Sequence, residues 1–273
     1  MLNEYSFFDI YIRHAIDENP DDRDFTMHIH EQCEIYFFVS GNVEYLVEGS
    51  KYPLCENSMM IMRPAEAHKP KIIGIEKYER YAINFPLAFA DNIDPDGSLK
   101  KAFSVRALGK GNMFSQVEID MKLVHKLFTQ MCKDDTDYNK QLTIRTHLLI
   151  LLDMINRAFT ERGNIESNPI SNAERIVMYV NNHLFEDISV PALAKHFFLS
   201  PSQFSRTFRH ATGAAPWEYI TKKRLTAAKE KIRSGSSAQS ACERCGFKDY
   251  SSFYRAYIKY FGCAPTVNKN ITD

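Results

Sequence analysis

The sequence has no apolar run approaching the ~20 residues a membrane-spanning helix needs, and Met1 to Ile10 lack the basic, then apolar, then small-residue order of a secretory signal. The expectation is a cytoplasmic protein with no membrane partner. Cysteine is sparse: six residues (Cys33, Cys55, Cys132, Cys242, Cys245, Cys263) are scattered over 273, which argues against a disulfide framework and for reduced packing thiols. No low-complexity tract is present, and 44% hydrophobic with 25% charged residues excludes a disordered chain. Net charge is absent too, 34 Lys+Arg against 34 Asp+Glu, which taken whole argues against a nucleic-acid partner.

That balance conceals a split. Residues 1–169 carry 19 Lys+Arg against 26 Asp+Glu, whereas residues 170–273 carry 15 against 8, so the halves stand at −7 and +7. Such asymmetry suggests a polyanion partner for the basic half. The length itself favours two domains. The polar, turn-rich stretch Glu161 to Pro169 is the best linker, separating residues 1–165 from an all-α domain at 170–273.

From Phe25 to Phe85 short β-branched and aromatic runs alternate with turns: Glu34 to Val39, Ser40-Gly41-Asn42, Val43 to Val47, Glu48-Gly49-Ser50. Closely spaced strands predict an antiparallel barrel over about residues 8–90. Helices are predicted over about 99–162, with Val117, Met121, Val124, Phe128 and Met131 on one apolar stripe and Leu148, Leu152, Ile155 and Phe159 on another. These helices either pack on the barrel or also join two copies into a homodimer. The fold class is α+β, in two domains.

The basic half repeats itself. At an offset of 49 residues Phe198, Ser202, Phe204, Arg206, Gly213, Ala215 and Pro216 meet Phe247, Ser251, Phe253, Arg255, Gly262, Ala264 and Pro265. Each copy reads as a short helix, a tight turn and a second helix. Ser200, Pro201 and Gln203 open the first of these second helices as a capping box, Asp249 caps the other, and Gly213 and Gly262 stop them. Another capping box, Ser171 with Glu174, opens a preceding helix. Helical spacing turns Phe204, Phe208 and Ala211 inward and puts Ser202, Ser205, Arg206 and Arg209 on the opposite stripe, with Gln203 beside it in the first turn. The second copy presents Tyr250, Ser251, Ser252, Tyr254 and Arg255. A small, polar, arginine-bearing stripe suits the ~12 Å major groove, where arginine pairs with guanine. Pro216 to Arg233 reads as one long helix joining the two units, with Trp217, Ile220, Leu225, Ala228 and Ile232 inward and Lys222, Lys223, Lys229 and Arg233 placed to neutralise phosphates.

Residues 171–265 resemble the DNA-binding domain of the AraC/XylS family of transcription regulators. The resemblance is carried by Leu193-Ala194, Ser205-Arg206-x-Phe208, Gly213, Pro216, Tyr219, Arg224, Ala228, Cys245-Gly246-Phe247-x-Asp249 and Phe253-x-Arg255. It implies two helix-turn-helix units binding double-stranded promoter DNA, usually as an activator that works with RNA polymerase and is governed by a small molecule, for which a sugar or related metabolite is the expectation. The chain departs from the pattern at Ala238 and Ala241, where isoleucines are usual, and after Pro265.

In the acidic half His28-x-His30-x3-Glu34-x6-Gly41 precedes His68. Alternate residues of an extended chain share a face, so His28, His30 and Glu34 point inward. This resembles the cupin barrel and the sensor half of the same regulator family. His28, His30, Glu34, Tyr36 and His68 are the candidate effector contacts. No cofactor is required, yet His28, His30, Glu34 and His68 also make a candidate divalent-metal shell. Cys242-x2-Cys245 has no partner pair at zinc-finger spacing and reads as core. The expected function is a ligand-responsive, non-enzymatic regulator. A metal-dependent cupin enzyme carrying a DNA-binding appendage is the alternative.

Overall fold

The computed structural model describes residues 2–7, 9–133, 137–163 and 171–265; most of the linker predicted at Glu161 to Pro169 lies outside them. Eight strands come first: β1 (Leu2–Phe7), β2 (Ile10–Asp17), β3 (Cys33–Ser40), β4 (Val43–Val47), β5 (Ser50–Pro53), β6 (Ser58–Met62), β7 (His68–Ile72) and β8 (Tyr78–Phe85). Helix α1 (Lys101–Ser104) and strand β9 (Met113–Phe114) follow, then α2 (Met121–Met131) and α3 (Asp137–Glu161). All pairings are antiparallel. They form a six-stranded sheet in the order β1-β2-β8-β3-β6-β9 and a three-stranded sheet in the order β5-β4-β7. The two sheets face each other, and among the described residues their strands do not close into one hydrogen-bonded ring.

Alternation of side chains explains why β3, β6 and β8 carry apolar residues on both faces. Ile35, Phe37, Met59, Ile61, Tyr81 and Ile83 pack against α2 and α3, while Tyr36, Phe38, Met60, Met62, Tyr78 and Ala82 fill the space between the sheets. The helix pair thus covers the outer face of the larger sheet. Its first helix is shorter than its apolar stripe suggests. Asp120 accepts from the backbone N–H groups of Lys122 and Leu123 and starts the helix at Met121, leaving Val117 91% exposed.

A buried ion pair fastens the loop between α1 and β9. Glu66, wholly buried, takes the Arg106 guanidinium at 2.8 and 2.5 Å, and also accepts from Gly109 N, Arg63 N and Asn112 Nδ2 at 2.8, 3.0 and 3.1 Å. Gly109 has φ +68°, and a Cβ there would lie 2.7 Å from the Val47 carbonyl oxygen. Glycine is required for this close approach.

The rest is helical: α4 (Asn172–Asn182), α5 (Val190–His196), α6 (Pro201–Thr212), α7 (Pro216–Arg233), α8 (Ala238–Arg244) and α9 (Tyr250–Phe261). The repeat appears as α5 with α6 and α8 with α9. Capping boxes open α4 and α6, Asp249 caps α9, and Gly213 and Gly262 close α6 and α9 at φ +78° and +72°. Arg224 binds the parts together from within α7, donating to the carbonyls of Leu184, Glu186 and Gly246 at 2.7, 2.8 and 2.5 Å. Tyr219, not Trp217, fills the core at the start of α7; Trp217 is 55% exposed and lies beside Arg224. Ala241, Cys242 and Cys245 are buried with Phe253 and Tyr257 in the second unit, both thiols unbonded.

The two halves share a core. Met27, Ile29 and Ala67 pack with Ile176, Val177, Val180, Phe204, Phe208 and Tyr219. At its edge Glu48, 4% exposed, accepts from Ala67 N at 2.6 Å, Asn181 Nδ2 at 2.8 Å, the Tyr219 hydroxyl and Lys223 Nζ.

Candidate DNA-binding surface and effector cavity

On α6, Ser202, Gln203, Arg206 and Arg209 are exposed and Ser205 is half-buried. Among the described residues Arg206 and Arg209 have no hydrogen-bond or ion-pair partner, so their guanidinium groups are free to bind an external acceptor. The Gln203 side chain is engaged in the capping box, its Oε1 accepting from Ser200 N at 3.0 Å, and Ser202 Oγ lies 3.1 Å from Ser200 Oγ. On α9, Ser251, Ser252, Tyr254 and Arg255 are exposed and Tyr250 is half-buried. Arg255 donates to Ser252 Oγ at 3.3 Å.

The lysines of α7 are placed otherwise than helical spacing suggests. Lys223 is 6% exposed and donates to Glu48 and, at 2.8 Å, to the Ala65 carbonyl. Lys222 Nζ lies 2.9 Å from both the Met27 carbonyl oxygen and Glu218. Lys229 and Arg233 face Glu31 at 3.4 and 3.9 Å. This basic face is turned to the strand domain, so Lys222 and Lys223 do not lie on an open phosphate-binding surface. Spacing along a helix identifies a face but not what covers it. Part of the charge split is therefore satisfied within the chain.

Between the sheets lies a cavity of about 360 Å³, lined by Arg13, Asp17, Asp24, Phe25, Thr26, His28, Glu34, Tyr36, Tyr45, Pro70, Tyr78 and Arg80. Of the five expected effector contacts, His28, Glu34 and Tyr36 line it. The Tyr36 and Tyr78 hydroxyls bond each other, and burial beside one another holds both phenols protonated. Arg80 pairs with Asp17 and sits 4.1 Å from the Tyr78 ring centre. Among the described residues Arg13 Nε is buried without a hydrogen-bond partner. Arg13, Tyr45, Tyr78 and Arg80 are additions to the sequence reading. For Tyr78 and Arg80 the sequence signal is alternation on β8, where the register Glu34 with Asn84 and Tyr36 with Ala82 aligns even-numbered residues of both strands on one face.

His28, His30, Glu34 and His68 do come together, one potential ligand atom from each lying within 4.8 Å of the others. Burial and the neighbouring His68 push His28 down to about 3. Burial works against the Glu34 carboxylate, but His30 and His68 beside it hold it well below the usual carboxylate range. Asn84 Nδ2 donates to Glu34 Oε2 at 2.9 Å.

Two family models match the chain: an AraC-like ligand binding domain over residues 13–149 and a helix-turn-helix domain over residues 193–270. The chain is 26% identical over 246 residues to a probable transcriptional regulator, LumQ of Photobacterium leiognathi, covering 90% of this chain and 92% of that protein. It is 23% identical over 259 residues to the transcriptional activator RhaS of Escherichia coli, covering 92% and 90%. Among solved structures it is similar to ToxT of Vibrio cholerae bound to an unsaturated fatty acid, at 11% identity, a TM-score of 0.41 and coverage of 96% and 95%. No helix among the described residues is long and apolar enough to cross a membrane. With a ligand-binding domain matched over half its length and a helix-turn-helix domain after it, the chain belongs to the AraC/XylS family of ligand-responsive, DNA-binding transcription regulators.

Proposed function

We propose that this regulator reads promoter DNA through α6 and α9, with Arg206, Arg209 and Arg255 as its principal contacts, and that a small hydroxylated metabolite, a sugar or a relative of one, occupies the cavity between the sheets. The observation that carries the reading is the pair of capped helices whose exposed arginines have no ion-pair partner among the described residues. Aromatic walls with a few convergent polar groups suit a hydroxylated ligand. The strand domain is a sensor and not an enzyme, which is supported by the relatives being named regulators. Such a protein acts in the cytoplasm, with RNA polymerase and a second copy of itself as further partners.

Gel shifts with promoter DNA at two salt concentrations test the reading. Affinity should fall as salt rises, and Arg206→Ala should cost about 1 to 3 kcal/mol with relaxed preference at one base pair. Unchanged affinity in Arg206→Ala and Arg255→Ala together would refute it. In the cavity, Arg80→Ala removes the cation beside Tyr78 and should abolish effector-induced thermal stabilisation while leaving basal DNA affinity unaltered; a melting shift preserved in that variant would place the effector elsewhere.

A further inference from the structure

His28 and His68 face each other across an antiparallel bridge, His28 N donating to the His68 carbonyl at 3.0 Å and His68 N to the His28 carbonyl at 3.1 Å. Their side chains therefore emerge on one face, and His30 shares it two residues on. Each imidazole has its Nδ1 against a backbone carbonyl: Thr26 at 3.1 Å for His28, Gln32 at 2.9 Å for His30 and Glu66 at 2.7 Å for His68. A carbonyl only accepts, so each Nδ1 carries a proton, and in the neutral ring each Nε2 presents a lone pair.

These lone pairs converge on a carboxylate. His30 Nε2 is 3.0 Å from Glu34 Oε2 and His68 Nε2 is 3.6 Å from the same atom. Among the described residues His68 Nε2 is buried with no hydrogen-bond partner, and its side chain is wholly inaccessible. Electron pairs gathered around the buried Glu34 and His68 call for a positive charge among them. Rings fixed at Nδ1 by carbonyls, with the carboxylate held by Asn84, are also the outer-shell arrangement that orients metal ligands.

We propose that His28, His30, His68 and Glu34 bind one divalent transition-metal ion through three Nε2 atoms and one carboxylate oxygen. Three imidazoles and a carboxylate suit zinc, iron, nickel or manganese, and not calcium or magnesium, which take oxygen shells. His28 and Glu34 also line the cavity, so the remaining coordination positions face the space between the sheets, where an oxygen-bearing metabolite supplies a further donor. The site has a second neighbour. Met27, Ile29 and Ala67, which alternate with the histidines, point the other way into the core shared with α4, α6 and α7.

Titration of the metal-free full-length protein with Co2+ tests the site. One equivalent should bind with visible ligand-field absorption that Zn2+ bleaches, and the melting temperature should rise by several degrees. His30→Gln, at a half-buried position that tolerates an amide, and Glu34→Gln should each weaken Co2+ binding by more than about tenfold, and Asn84→Ala by about 10- to 100-fold. Far-UV circular dichroism of each variant separates lost ligation from lost folding. Substoichiometric uptake by the wild type, or equal uptake by folded His30→Gln and Glu34→Gln, overturns the proposal and leaves a cluster that merely shares a proton. The inference rests on the regulator reading only for the cavity's role as a sensor: promoter binding retained without metal uptake would remove the ion and leave the regulator standing.

Discussion

Glu48→Ala should lower the stability of the docked two-domain arrangement by about 3 to 5 kcal/mol, the scale for leaving one partner of a buried ion pair uncompensated. In the variant the Lys223 ammonium keeps only the Ala65 carbonyl, and the Tyr219 hydroxyl, whose pKa burial and Glu48 hold well above the ordinary value, keeps only Asn181 Oδ1 at 3.0 Å. The loss falls on the contact between halves rather than on either core, because Glu48 accepts from Ala67 on one side and from Asn181, Tyr219 and Lys223 on the other. Calorimetry should therefore show the helical domain melting earlier and apart from the strand domain. Adding Lys223→Met removes the stranded charge and should restore most of the deficit, a coupling that a double-mutant cycle reads directly. A Glu48→Ala protein melting within about 0.5 kcal/mol of wild type, the usual range for a surface change, would show that this carboxylate does not hold the domains together.

Arg106→Ala should be as damaging, about 3 to 5 kcal/mol, but within the strand domain. Against a total stability of about 5 to 15 kcal/mol this brings the domain near unfolding at ambient temperature. The pH dependence gives the cause a signature. Burial alone would raise the Glu66 pKa, but the Arg106 guanidinium and the N–H groups of Gly109 and Arg63 hold it below the ordinary 4.5. The stabilisation it provides is present above the unfolded pKa and lost as pH falls through the lower folded value. Without Arg106, burial favours the neutral carboxyl and the sign reverses, so the variant gains relative to wild type on acidification. Urea denaturation at neutral pH and near pH 4.5 measures both proteins. A stability gap that widens with acid would contradict the assignment.

What the chain discloses before folding is its local grammar. The 49-residue repeat, the caps at Ser171, Ser200 and Asp249, and the stops at Gly213 and Gly262 are signals between neighbours along the chain, and each has its structural counterpart. The histidine pattern was legible for the same reason, since alternation is a property of a single extended segment. Val117 failed because Asp120, a capping residue inside an apolar stripe, outweighs periodicity. Tertiary partnership was hidden. Glu48 sits in a Glu-Gly-Ser run that reads as a turn, and nothing nearby announces a lysine 175 residues away. Arg13 and Arg80 enter the cavity only once strand register is fixed, and a closed barrel and two facing sheets leave the same alternating pattern in each strand.

The turning of α7 toward the strand domain bears on how the protein will answer to ionic strength. Condensed counterions lie on the duplex and are released where a protein cation neutralises a phosphate, so Lys223 and Lys229, already opposite Glu48 and Glu31, are not placed to add to the slope of log affinity against log salt. At about 0.9 per neutralised phosphate, that slope should be shallower than the +7 of the basic half implies.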